Sequence, residues 1–393
     1  MNDPDYRRIE MWRDVPEEQW DNYRWQLQNR IVNVDQLKRV LPLHPEEEEG
    51  ARRVEGRFVM SIPPYWVSLM DRTDPRCPIR KQAVPVLNEF YIDPTDMVDP
   101  CGEEKDAAVP NVVHRYPDRV LFLVTGRCAM YCRYCTRSRL VGSEGREIYE
   151  YEPAFEYIKS NRKIRDVLIS GGDPLSLSDE KLEAILKRLR EISHVEFIRI
   201  GTRMPCTLPM RITESFCAMI KRQGPIWMSL HFNHPKEVTK RVKKACDMLA
   251  ESGVPMGSQT VLLRGVNDKP YIMKKLFHEL LKVRVRPYYI YQCDPVKGTA
   301  HFRTPVSVGL NIIEKLRGWT TGYAVPTYVV DGPGGGGKIP ITPNYVISHD
   351  NGVWTLRNFE GKIFKYYEVE PSESPAEEPA ETVSVKARKA SAA

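Results

Sequence analysis

Three thiols stand close together in GRCAMYCRYCTRSR, with Cys128, Cys132 and Cys135 in a C-x3-C-x2-C spacing. A tetrahedral structural zinc takes four ligands, and no fourth Cys or His sits at finger spacing nearby. Three thiolates on a [4Fe–4S] cube leave one iron open, and an open iron can bind a substrate. The competing readings are a zinc knuckle or three unrelated buried thiols. A second motif lies far downstream, where residues 331–340 read DGPGGGGKIP. Gly332 to Lys338 satisfies the first part of the phosphate-loop pattern, but Ile339 stands where Ser or Thr should reach magnesium. Pro340 and Pro343 also deny the helix that should follow. What remains is either a solvated lysine on a flexible loop or an amine able to form a Schiff base with an aldehyde cofactor, most often pyridoxal phosphate.

These residues need elements to position them. From Arg119 onward short β-branched or aromatic runs alternate with helix-period segments, and six runs read as strands: 120–125, 166–170, 196–201, 226–231, 257–263 and 287–292. Ser178 is a plausible N-cap for a helix carrying Leu182, Ile185, Leu186 and Leu189 at helical spacing. Val238, Val242, Cys246 and Leu249 repeat in the same way, with Gly253 as the stop. Repeated βα units require a parallel sheet with right-handed crossovers, so the expected class is α/β, an open partial (β/α)6 barrel over residues 111–325. Polar residues gather where these runs end: Ser170-Gly171-Gly172-Asp173, Gly201-Thr202-Arg203, His231-Phe232-Asn233-His234, Gln259 and Cys293-Asp294. Barrel enzymes keep their chemistry at that rim.

Residues 1–110, with an amphipathic stretch at 17–41, read as a mainly helical N-terminal region, and the carboxylates at 46–49 as a solvated run. Residues 326–369 form a C-terminal segment carrying Lys338, and 370–393, rich in Glu, Pro, Ser and Ala, a disordered tail. A 393-residue chain with 41% hydrophobic residues can build a real core, which excludes disorder throughout. No run approaches the roughly 18 apolar residues of a membrane span. The N-terminus lacks the apolar region of a secretory signal, so a cytoplasmic protein with reduced thiols is expected. A net charge of +6 over such a length does not imply nucleic acid.

The thiol spacing, with aromatic Tyr134 before the third cysteine, resembles the radical S-adenosylmethionine enzymes. That resemblance implies a [4Fe–4S] cluster on Cys128, Cys132 and Cys135. It implies S-adenosylmethionine held by Ser170, Gly171, Gly172, Asp173, Arg203, His231 and Gln259. PGGGGK downstream of such a loop, with HRYPDRV, RIGTRMP, HFNHP, LLRGVND, RVRPYYIYQCD and HFRTPVS between them, resembles the lysine 2,3-aminomutase family over almost the whole chain to about residue 365. It implies Lys338 as the Schiff-base lysine of pyridoxal phosphate. Arg115 and Arg119 flank Tyr116, two guanidiniums suited to its phosphate and a ring suited to stacking on its pyridine. It further implies Arg137 for the substrate α-carboxylate and Asp294 and Asp331 for a distal ammonium, hence an intramolecular amino migration from C2 to C3 of lysine. The same reaction on glutamate, arginine or another amino acid is the alternative, and a radical enzyme modifying RNA a more distant one. A small-molecule substrate, a reduced donor such as ferredoxin or flavodoxin, and a homo-oligomer are expected. No partnership with nucleic acid or membrane is expected. Zinc is not expected, because Lys269 follows GVND and no cysteine occurs after Cys293.

Overall fold

The structure, a computed structural model, describes residues 3–54, 59–142 and 150–369. Ten strands form one sheet in chain order. They are β1 Ala107–Val109, β2 Val112–Tyr116, β3 Arg119–Thr125, β4 Asp166–Gly171, β5 Phe197–Thr202, β6 Ile226–His231, β7 Met256–Leu262, β8 Arg286–Gln292, β9 Thr327–Gly332 and β10 Gly337–Pro340. From β3 to β9 neighbouring strands are parallel. β1, β2 and β10 join antiparallel at the two ends, so the chain is α/β with a large mixed sheet.

Helices Glu152–Ser160, Asp179–Arg190, Glu214–Gln223, Lys240–Glu251, Pro270–Lys282 and Val306–Leu316 connect the parallel strands. Each buries one apolar stripe against the sheet, as parallel strands covered on their faces require. Ser178 caps the second helix, its side chain accepting from the Lys181 N–H at 3.4 Å, and Leu182, Ile185, Leu186 and Leu189 are buried. Beyond Lys240–Glu251, Gly253 takes a φ of +79°, the left-handed turn that ends the helix. The six expected strands differ from the observed ones by a residue or so at their ends.

A seventh parallel strand, β9, goes beyond the six read from the sequence. Its Tyr328 is buried against helix Val306–Leu316, where a Cβ at Gly309 would lie 2.2 Å from the ring. Glycine therefore lets helix and strand approach. β9 turns directly into β10, with Lys338 opposite Asp331. The stretch 17–41 is three short helices, Glu17–Trp20, Tyr23–Gln28 and Val34–Val40. Asn22 and Asn33 interrupt the amphipathic repeat by capping the second and third. The expected segment 326–369 divides at Pro343. β9 and β10 belong to the large sheet, while β11 Val346–Asp350, β12 Val353–Arg357 and β13 Ile363–Tyr367 form a separate antiparallel sheet. The expected disordered tail from Glu370 lies outside the described residues. Among those described, no helix is long and apolar enough to cross a membrane.

Candidate active site

The thiol loop leaves β3 at Thr125 and is braced by the end of β4. At Gly171, whose φ is +128°, a Cβ would lie 2.3 Å from the Thr125 carbonyl oxygen, and at Gly172 one would lie 2.3 Å from that of Arg127. Backbone N–H groups of Gly172 and Asp173 donate to those same carbonyls at 2.6 and 2.7 Å. The two glycines thus seat the β4 loop on the thiol loop itself. Asp173 accepts from the Thr202 hydroxyl at 2.7 Å, the Arg203 N–H at 2.8 Å and the Leu175 N–H at 3.1 Å, tying β4 to β5. Burial pushes its carboxyl above the usual range, and these bonds pull it back.

Burial, with Cys132 adding to it in both cases, pushes Cys128 well above the ordinary thiol range and Cys135 up to about 11, so the trio share one electrostatic neighbourhood. Two donors aim at these sulfurs: Arg203 Nη1 lies 2.8 Å from Cys132 Sγ, and the Arg137 N–H 3.4 Å from Cys135 Sγ. Among the described residues no three His, Cys, Asp or Glu side chains converge on one ion position. A cluster instead ligates each thiolate at a different iron. Donors to sulfur and a glycine-seated loop fit such a cluster. Tyr134 shares a 2.8 Å hydrogen bond with His231 Nε2. Burial and the Arg203 charge hold His231 well below its usual range, hence neutral. Gln259 lies beside it on β7, in register with His231.

The amine sits at the same rim, where β8 and β9 end. Lys338 Nζ lies 3.6 Å from Asp331 Oδ1 and 5.4 Å from the Tyr291 ring centroid. Asp331 Oδ1 is buried without a hydrogen bond. Asp294 is pushed up to about 7, first by burial, then by Asp331, with Lys338 opposing. The Lys338 N–H donates to Tyr116 Oη at 3.0 Å, and Arg119 lies 4.1 Å above the Tyr116 ring. Arg115 Nε pairs with Asp106 at 2.8 Å, and its Nη2 donates to the Cys101 carbonyl. A Cβ at Gly337 would crowd Tyr116 Oη at 3.1 Å, and one at Gly335 would crowd Asp106 at 3.2 Å. The glycines therefore let the lysine hairpin close on HRYPDR. An amine, a ring and two guanidiniums in one place fit pyridoxal phosphate.

Arg137 bridges the two halves. Its Nε donates to Glu103 at 2.8 Å, its Nη2 pairs with the same carboxylate at 2.7 Å, and its Nη1 reaches Ser170 Oγ at 3.2 Å. Glu103 is 6% exposed, and Arg137 and Arg139 lower its carboxyl against the upward push of burial. Nearby, the half-buried Cys101 thiol is pushed up to about 12 by desolvation and by Asp294, Glu103 and Asp331. The sequence reading missed both residues. PCGEEKD looks like a charged loop, and its only early signal is its place just upstream of HRYPDR. A cavity of about 910 Å³ opens beside this rim, lined by Arg264, Cys293, His301, Thr304 and Pro333 among others. Both His301 ring nitrogens and Thr304 Oγ1 are buried without hydrogen-bond partners.

Comparison with known proteins agrees with this geometry. Residues 122–275 match the radical SAM superfamily and residues 313–391 match the lysine-2,3-aminomutase family. The chain is 54% identical over 356 residues to an L-lysine 2,3-aminomutase of Acetoanaerobium sticklandii, covering 90% of this chain and 86% of that protein. Against the enzyme of that name from Clostridium subterminale it is 52% identical, covering 92% and 88%. A glutamate 2,3-aminomutase of Clostridioides difficile is 46% identical over 89% of this chain and 83% of its own. At such identity along nearly the full length of both partners, the chain belongs to the lysine 2,3-aminomutase family of radical SAM enzymes.

Proposed function

We propose that the protein is an L-lysine 2,3-aminomutase, an isomerase that moves the α-amino group of L-lysine to C3 and gives β-lysine. The observation that carries this reading is the pair Asp294 and Asp331 beside Lys338, at the same rim as the thiol loop. Two half-buried carboxylates facing one amine leave excess negative charge, which the terminal ammonium of lysine would neutralise. The γ-carboxylate of glutamate would add to it. Cys128, Cys132 and Cys135 would hold the [4Fe–4S] cluster, and Lys338, Arg115, Tyr116 and Arg119 pyridoxal phosphate. Ser170, Gly171, Gly172, Asp173, Arg203, His231 and Gln259 stand on the side that would receive S-adenosylmethionine. His301 and Thr304, with polar atoms to satisfy, suit the donors and acceptors of its purine. When bound, these groups supply reversible hydrogen-atom abstraction and a carrier for the migrating nitrogen.

The protein's own part is placement. Arg137, held rigid by Glu103, presents its remaining N–H to the substrate carboxylate, while Asp294 and Asp331 fix the other end, so that the β-carbon has one orientation. Lys338, 3.6 Å from Asp331, would hold the aldehyde of the cofactor through its amine. The parallel strands would curve into a partial (β/α)6 barrel, consistent with the bond from Lys338 near one edge of the sheet to Tyr116 near the other. A reduced ferredoxin or flavodoxin would supply the electron, and a homo-oligomer is the proposed assembly. The test is product analysis after anaerobic reconstitution with iron, sulfide, S-adenosylmethionine and pyridoxal phosphate. L-Lysine should give β-lysine; formation of β-glutamate from L-glutamate without β-lysine from L-lysine would overturn the assignment.

A further inference from the structure

Arg203 follows β5 and turns inward, to 8% exposure. Besides the 2.8 Å bond to Cys132 Sγ, its Nη2 donates to Gln82 Oε1 at 2.6 Å and lies 3.5 Å from Glu237 Oε1. Its guanidinium carbon stands 4.9 Å from the Trp66 ring centroid and 5.6 Å from that of Tyr134. Glu237 is fully buried. It accepts from Gln82 Nε2 at 2.8 Å, the Asn233 N–H at 2.8 Å and the Cys206 thiol at 3.2 Å. The carboxylate is thus shared among several donors and only grazes the guanidinium. The shortest contact of Arg203 with an anionic ligand atom is the one to sulfur.

A charge-assisted N–H···S bond in a low-dielectric interior stabilises negative charge on the sulfur. Hydrogen bonds and buried charge around ligand sulfurs set the potential of an iron–sulfur cluster. We infer that Arg203 is a positioning residue that raises the reduction potential of the cluster through Cys132, and that Glu237 limits how much of its charge reaches the sulfur. The electron comes from the reduced donor and goes to the cluster; no bond at Cys132 is made or broken. The inference rests on the assignment of Cys128, Cys132 and Cys135 as cluster ligands, and it gives Arg203 a task that precedes any contact with S-adenosylmethionine.

The experiment is a redox titration followed by electron paramagnetic resonance, on anaerobically reconstituted full-length protein without S-adenosylmethionine, alongside iron and sulfide analysis. Arg203→Gln should retain the cluster while its reduced-to-oxidised ratio at fixed potential falls about tenfold, or about 59 mV for one electron. Arg203→Lys should recover part of that shift. Glu237→Gln should move the midpoint the other way, and it carries the test if Arg203→Gln takes up no iron. An unchanged midpoint without S-adenosylmethionine, with a change only in its presence, overturns the inference and returns Arg203 to the cosubstrate. Shifts of the same sign in Arg203→Gln and Glu237→Gln also overturn it, since general loosening would do that. A wild-type chain that binds no cluster instead overturns the ligand assignment beneath it.

Discussion

On the thiol side of the rim, the charged groups have partners within the protein, although Arg203 Nε makes no hydrogen bond. Arg137 is clasped by Glu103, Asp173 receives three donors, and Arg203 is shared among Cys132, Gln82 and Glu237. On the amine side, Asp331 keeps a buried oxygen with no hydrogen bond, and Asp294 is pushed up to about 7 because burial and Asp331 outweigh Lys338. The first arrangement holds a constant field around a group that must stay put. The second is short of one positive charge, which a substrate that comes and goes can supply.

Removing the amine should break this comparison most severely. Lys338→Ala is expected to lose turnover on the order of 10⁴-fold or more, as for a group acting in concert with others. It should also lose the yellow Schiff-base absorbance while keeping full iron content; loss of iron as well would mean the two halves are not separable. Next comes Asp331→Asn, which leaves the substrate ammonium facing a neutral amide. Truncating one side of a buried charge pair costs about 2–5 kcal/mol, to be read as a raised KM for lysine with a smaller change in kcat. An unchanged KM would place the ammonium elsewhere.

The strands of the thiol side were legible in the sequence because parallel strands buried on both faces leave dense β-branched runs. The Cys128, Cys132 and Cys135 spacing is local enough to read directly. β9 was missed because its short run 327–332 runs straight into glycines that look like a loop, and only packing against Gly309 makes it a strand. Glu103 and Cys101 were missed because nothing in PCGEEKD marks a site; the fold brings Glu103 to Arg137, 34 residues away. Asp173 and Arg203 show the opposite limit. Their position at strand ends was readable, but their hydrogen bonds to the protein itself were not.

Glu103 tests whether the clasp on Arg137 serves the chemistry. Glu103→Gln keeps the shape but leaves a half-buried guanidinium without its counter-charge, a loss of about 1–3 kcal/mol. It should appear as a lower kcat/KM for lysine with the cluster spectrum unchanged. If Glu103 merely competes with the substrate carboxylate for Arg137, KM should instead fall.

The smallest expected effect, of about tenfold per pH unit, comes from Asp294, and it sharpens the comparison most. With its carboxyl pushed up to about 7, the empty site is protonated at pH 6, while a bound ammonium favours the ionised form. Lysine binding below pH 7 must therefore release a proton, so KM should fall as pH rises toward 7 and level off above it. Stability runs the other way. An unfolded Asp titrates near ~3.9, so between there and about 7 the folded chain holds the extra proton. The stabilisation is complete at the acid end of that window and is lost as pH rises through the folded value. At pH 8 Asp294→Asn, which cannot ionise, should melt at a higher temperature than the wild type while binding lysine more weakly. A variant that melts lower and binds lysine equally well would show that the charge deficit at this end of the rim belongs to the fold and not to the substrate.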